Sequence, residues 1–292
     1  MKEMEIALYG KNIVNNHNSF LEKLLRHLND LQVQILIFEQ WQTPIETAKS
    51  LGIPYHVFSD YHHLQSADYL LSIGGDGTLL DTLPLVHNTG IPVIGINIGK
   101  LGFLSAVSRD EIETVLDCII HKKIMLEPRT LLELKSDDYN GYKFALNEIS
   151  ILKQLPASML SIKVNIDGEF LNNYWADGLI VATPTGSTAY SLSCGGPILM
   201  PSSENFVITP IATHNLTVRP VVVPDTSKIE IEVDKKTGLF LLGLDSRISQ
   251  FATSKKIALQ RADFKLNLGR LPDRNFCTTL RAKLTWGHDI RN

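Results

Sequence analysis

Residues 70–78 read Leu-Leu-Ser-Ile-Gly-Gly-Asp-Gly-Thr, an apolar run that breaks into three glycines set around one aspartate. A run with so little polar alternation belongs in a strand covered on both faces, the situation of a parallel sheet flanked by helices. The glycines after it have no Cβ, so the chain can turn sharply there and bring its amides close to an anion. Residues 5–9, Val33–Phe38 and Ile91–Ile96 are further strands of this kind. Phe20, Leu21, Leu24, Leu25, Leu28 and Leu31 repeat with helical period between the first two. Ser108-Arg109-Asp110-Glu111 has the form of a capping box, and Ile112, Val115, Leu116, Ile119 and Ile120 follow it on one helical face. Residues 1–126 therefore predict an α/β nucleotide-binding domain on a Rossmann-like parallel sheet.

Past Pro128 the pattern changes. Asn140-Gly141 and Asp167-Gly168 are turn pairs, Ser161–Ile166 alternates, and Ile229, Ile231 and Val233 alternate with Glu230 and Glu232. Period two between such turns marks antiparallel strands with one buried face. The expectation is a β-rich, β-sandwich-like domain over 127–269, with the boundary near 124–130.

Charge narrows the partners. Lysine and arginine number 28 against 31 acidic residues, a net −3 scattered along the chain, which is no footprint for a phosphate backbone. Apolar runs such as Leu179–Ala182 and Val221–Val223 fall far short of the roughly 20 residues a membrane helix needs. Ile6–Tyr9, behind Lys2, Glu3 and Glu5, is too short for a signal-peptide core. Cys118, Cys194 and Cys277 are odd in number and lack CxxC spacing, which argues against a disulfide framework or a cysteine zinc site. The reading is a cytoplasmic protein with no nucleic-acid or membrane partner.

Asp76 is the chemical oddity of the glycine turn. A carboxylate beside phosphates repels them unless it binds a metal, takes a proton or accepts from a hydroxyl; the plainer reading is a turn residue, since Asp-Gly is a common turn pair. The P-loop pattern fails at Gly95, Gly99, Lys100 and Leu101, and Thr78-Leu79-Leu80 supplies no third glycine for the dinucleotide fingerprint. Farther on, Thr183, Thr185, Ser187, Thr188, Tyr190 and Ser191 crowd hydroxyls around Gly186 directly after the Leu179–Ala182 strand, an unusual composition for an idle turn.

Gly74-Gly75-Asp76-Gly77-Thr78 resembles the GGDGT signature of NAD kinases, which lipid kinases and phosphofructokinases share in related form. Gly95–Leu104, Asn147-Glu148-Ile149, Asp177–Ser191 and Thr209-Pro210 through Arg219-Pro220 follow in family order, so the resemblance to NAD kinases spans most of the chain. It implies transfer of the γ-phosphoryl group of ATP to the 2′-hydroxyl of the adenosine ribose of NAD, with Mg2+ as cofactor. It also implies a homo-oligomer, dimer or tetramer, with a site shared between subunits.

Carried over by position, the resemblance makes Asp76 the catalytic residue, with Gly77 against the same ligand. Asn147 and Glu148 match the pair that holds ribose hydroxyls and the adenine end of NAD. Asp177 matches a position that reaches a neighbouring subunit's dinucleotide. Thr185, Thr188, Ala189, Tyr190, Ser191, Leu192 and Ser193 match the NAD-lining turn, Ala212 another lining position, and Phe103 an aromatic cover. Leu244-Asp245-Ser246-Arg247 resembles a family segment whose final residue varies, so Arg247 takes no firm role from it, and Asp245 and Arg247 stand as candidate phosphate or ligand contacts. Residues 270–292 are expected to complete the first domain. The motifs name no metal ligands, and His214 is read as structural.

Two rivals follow from the same residues. A lipid kinase could use the glycine turn, but the chain shows no polybasic amphipathic helix to meet a membrane. A sensor could bind NAD(P) without turnover, but it would have no use for Asp76.

Overall fold

The computed structural model describes residues 3–11, 18–99, 102–154, 159–234, 236, 238–252 and 256–286. Lys2, the asparagine-rich stretch 12–17, Lys100, Leu101 and residues 287–292 lie outside them. The chain divides into two units: Met1–Pro128 with Leu266–Asn292, and Arg129–Lys265.

In the first unit the chain runs β1 (Glu5–Gly10), α1 (Asn18–Asp30), β2 (Gln34–Phe38), α2 (Gln42–Leu51), β3 (His56–Phe58) and β4 (Tyr69–Gly74). It continues through α3 (Asp76–Leu80), α4 (Leu83–Val86), β5 (Val93–Asn97), β6 (Val107–Ser108) and α5 (Ile112–Ile120). The strands lie in the order β3-β2-β1-β4-β5-β6, all parallel. Their apolar runs are buried without alternation, as the sequence requires of a sheet covered on both faces. Leu21, Leu24, Leu25 and Leu28 form the inward stripe of α1 and pack with Ile6, Leu8, Ile35 and Leu116. The capping box forms as read: Ser108 Oγ accepts from Asp110 N, and Glu111 Oε2 accepts from Ser108 N at 2.9 Å.

The second unit takes up β7 (Met125–Lys135) after its first residues, then β8 (Phe144–Ala145), β9 (Glu148–Lys153), β10 (Leu160–Ile166), β11 (Glu169–Ala176) and β12 (Gly178–Ala182). After the short helix α6 (Tyr190–Ser193) come β13 (Asn205–Ile211), β14 (Val221–Pro224), β15 (Ile229–Val233), β16 (Leu239–Leu244), β17 (Arg247–Ala252) and β18 (Ile257–Arg270). One antiparallel sheet runs β14-β13-β12-β9-β16-β17. In the other, β11, β10, β15 and the start of β18 pair antiparallel. Ile149, Ile151, Val181 and Phe240 of the first share one core with Ile162, Val164, Ile231 and Leu259 of the second, which makes a β-sandwich. Asp167 and Gly168, at φ 52° and 85°, are the left-handed pair that closes the β10–β11 hairpin.

The last residues of β18 return to the first unit, where Leu268 pairs with Val93 of β5. Helix α7 (Phe276–Leu284) follows, begun by a capping box of Asn275 and Thr278.

Leu24, fully buried at the centre of the α1 stripe, sets the first prediction. Leu24→Ala leaves a cavity there and should cost about 2–5 kcal/mol, read as a lower midpoint in urea unfolding.

Candidate active site

Parallel sheets bind ligands in the crevice beyond the carboxyl ends of their strands. β1 and β4 end side by side there, with Gly10 in register with Ile73. β4 closes at Gly74 and Asp76 opens α3. The Asp76 carboxylate turns to the loop after β5: Oδ2 accepts from Phe103 N at 2.8 Å, and Oδ1 accepts from Leu104 N at 3.1 Å and Ser105 N at 2.8 Å. A Cβ on Gly102 would stand 1.8 Å from Asp76 Oδ1, so only glycine lets this loop wrap the carboxylate. A carboxylate offers about four lone-pair sites, and Oδ2 spends one on an amide, which leaves it able to accept from a hydroxyl. Gly77, one residue on, is exposed. At the far end of α3 the Asp81 carboxylate meets Lys11 Nζ at 2.6 Å. Burial, with help from Asp81, pushes the Tyr9 phenol up to about 12, so it stays protonated.

In the second unit another carboxylate repeats the device. Asp245 Oδ2 accepts from Leu146 N at 2.9 Å, and Oδ1 accepts from Asn147 N at 2.7 Å and Glu148 N at 3.2 Å. Burial pushes the Asp245 carboxyl up, opposed by those amides and by Arg247. The Arg247 guanidinium donates to Tyr142 O at 2.9 Å and Phe144 O at 2.5 Å, and stands 5.1 Å from the Tyr142 ring centroid. Asp245, marked in the sequence as a candidate ligand contact, thus holds the backbone that presents Asn147 and Glu148, and Arg247, marked likewise, donates to carbonyls of the segment before it.

Glu148 Oε2 is buried with no hydrogen-bond partner among the described residues. Burial first, and the Asp245 charge second, push its carboxyl up to about 8. An unmet buried acceptor is costly, and a ligand hydroxyl would relieve it.

The hydroxyl-rich turn divides in two. Thr183 Oγ1 donates to Leu146 O at 2.6 Å and accepts from Gly186 N; Ser187 Oγ donates to Pro184 O at 2.7 Å; Ser191 Oγ pairs with Thr209 Oγ1 at 2.8 Å. Thr185 Oγ1 accepts from buried Arg129, and Thr188 Oγ1 donates back to Thr185 O. These hydroxyls build the turn, because a tight turn at a buried strand end must satisfy its own polar groups. Tyr190 and Ser193 are exposed, and Thr188, Ala189 and Leu192 partly so. A Cβ on Gly186 would lie 2.0 Å from Asn147 O, so the turn presses on the Asn147–Glu148 segment. Asp177 pairs with Lys153 at 2.6 Å, and exposed Ala212 sits at φ 45°. Arg129 and Lys153 carry no motif signal and were not legible in sequence.

A parallel sheet ending on a glycine turn with a held aspartate, in a chain whose second unit offers an unmet carboxylate beside a hydroxyl-rich turn, defines a nucleotide-handling phosphotransferase. Residues 11–124 match the family described as ATP-NAD kinase N-terminal domain, and 146–270 the ATP-NAD kinase C-terminal domain. The chain is 42% identical over 294 residues to an NAD kinase of Flavobacterium psychrophilum and 43% over 293 to one of Cytophaga hutchinsonii, covering 99% of this chain and all of each relative. Among solved structures it is similar to yeast NADH kinase complexed with NADH, at TM-score 0.88 and 25% identity over all of this chain and 90% of that one. An NAD kinase from Archaeoglobus fulgidus in complex with ATP is similar at TM-score 0.75 and 26% identity, over 97% and 99%. The chain belongs to the NAD kinase family.

Two predictions follow. Gly186→Ala forces the Asn147 carbonyl aside; it should cost about 1–3 kcal/mol of stability and weaken NAD binding in titration calorimetry. Between about pH 4.5 and 8 the folded chain keeps a proton on Glu148 that the unfolded chain has lost, so this group makes stability fall as pH rises through that window. Glu148→Gln should flatten the dependence of melting temperature on pH there; an unchanged slope would refute the raised carboxyl.

Proposed function

We infer that the protein transfers the γ-phosphoryl group of ATP to the 2′-hydroxyl of the adenosine ribose of NAD, giving NADP. The observation that carries the reading is Asp76, held at the glycine turn by three amides with acceptor capacity left on Oδ2. Family membership over the whole chain supports it. Phosphoryl transfer has a loose transition state, so the protein's contribution is to aim the acceptor hydroxyl and balance phosphate charge. Asp76 Oδ2 accepts from the 2′-hydroxyl, aims its oxygen and takes its proton late in the transfer, leaving the phosphate on the ribose oxygen and ADP as leaving group.

Glu148 and Asn147 take the ribose hydroxyls and adenine end of NAD, and the unmet Glu148 Oε2 suits a diol donor. Gly77, Phe103, Thr188, Ala189, Tyr190, Leu192, Ser193 and Ala212 line the dinucleotide. Thr185 and Ser191 support that lining from beneath. Asp177 reaches the ligand of a neighbouring subunit in a homo-oligomer, and the protein works in the cytoplasm. Mg2+ would neutralise phosphate charge when bound; among the described residues no three His, Cys, Asp or Glu side chains gather to hold a metal ion on the protein alone.

The test is NADP+ formation from NAD+, ATP and Mg2+, followed with an NADP-specific dehydrogenase. Asp76→Asn should lose at least about a hundredfold in kcat while NAD still binds. Turnover at the wild-type rate in that variant would remove Asp76 from the mechanism, and NAD binding without turnover in the wild type would make the protein a sensor.

A further inference from the structure

Thr209 opens the segment that runs to Arg219-Pro220, and it is wholly buried in β13. A hydroxyl in such a place needs a partner. Thr209 Oγ1 finds one in α6: Ser191 Oγ, itself wholly buried, at 2.8 Å.

Helix α6 is a single turn, Tyr190–Ser193. Closing one turn fixes several dihedrals for one hydrogen bond, so a helix of this length does not hold itself. Its end is closed by the two bonds of a Schellman motif: Gly196 N donates to Ser191 O at 2.9 Å, and Gly195 N to Leu192 O at 3.0 Å, with Gly195 left-handed at φ 82°. These bonds close the turn on itself and leave its direction open. The Thr209–Ser191 pair supplies the direction, because β13 is paired with β12 and Thr209 stands opposite Ile180 there. Gly196 completes the contact: a Cβ on it would overlap Ser191 Oγ and stand 2.9 Å from Thr209 Oγ1, so the chain passes directly over the two hydroxyls. With Ser191 held inward, Tyr190 and Ser193 lie exposed.

We propose that Thr209 is a positioning residue for NAD: without touching the ligand, its hydroxyl sets through Ser191 the face of α6 that lines the dinucleotide. Residues three apart on a helix share a face, so an error in the roll of α6 displaces Tyr190 and Ser193 together. Misplacement of that kind is costly wherever a site depends on orientation. The proposal rests on the reading of Tyr190, Leu192 and Ser193 as NAD-lining residues.

The experiment measures equilibrium binding of NAD+ and of ATP to the full chain, and KM for each. The variants are Thr209→Val, Thr209→Ser, Ser191→Ala and Thr209→Val combined with Ser191→Ala. Valine keeps the branched shape that suits a strand and removes the hydroxyl; serine keeps the hydroxyl. Thr209→Val should weaken NAD+ binding about tenfold, the loss of one buried hydrogen bond, and the loss should fall in KM for NAD+ more than in kcat. ATP affinity should change less than about twofold, and Thr209→Ser should bind NAD+ within about threefold of wild type. In the Ser191→Ala background, Thr209→Val should weaken NAD+ by less than about twofold more, since the bond is already gone. The proposal is wrong if serine loses as much as valine, or if the two single losses multiply in the pair. It is equally wrong if ATP and NAD+ weaken together in step with a lowered melting temperature, the result a purely structural threonine would give. Ser191→Ala, with the same selective loss for NAD+, is the second variant should valine disturb folding. Wild-type protein that binds ATP and no NAD+ overturns the reading of the lining along with this proposal; NAD+ binding that Thr209→Val leaves intact overturns this proposal alone.

Discussion

Each unit depends on a carboxylate that accepts hydrogen bonds from three successive backbone amides. Asp76 gathers Phe103, Leu104 and Ser105; Asp245 gathers Leu146, Asn147 and Glu148. Irregular backbone near a buried strand end has donors that no ladder satisfies, and leaving them unmet costs more than a neutral acceptor would repay. A single carboxylate, with about four lone-pair sites, meets three such donors in one place. Much of the nearby geometry follows from the need to bring the chain against such a group.

The same device fixes what can stand beside it. Gly102 has its Cα against Asp76, and Gly186 lies against the Asn147 carbonyl, each at a separation that excludes even a methyl group. Glu148 inherits the cost: its backbone is held by Asp245, and its own burial first, with the Asp245 carboxylate second, raises its carboxyl. A group made uncomfortable in the free protein is well prepared to bind, because part of the cost of ordering it has been met in folding.

What was legible in the sequence was local. Apolar runs without alternation marked the parallel strands, Ser108–Glu111 marked the start of a helix, and Asp167-Gly168 marked a hairpin, since each depends on neighbours a few residues apart. The roles of Asp245 and Arg247 were not, because their partners lie 97 to 105 residues away. A hydroxyl cluster at 183–191 reads the same whether its members face a ligand or their own turn, and only coordinates separate buried Ser187 and Ser191 from exposed Tyr190.

The first unit is discontinuous, with Leu268 pairing to Val93 across the whole second unit. During synthesis the strands from β1 to β6 emerge early but wait for this last parallel partner, whereas Arg129–Lys265 can close its sandwich as soon as it leaves the ribosome. The parallel sheet thus bears the long loop-closure cost and the antiparallel sandwich does not. A nascent chain halted before β18 would leave β15 and the start of β5 near Val93 without their partner, strand edges open to aggregation or to a chaperone.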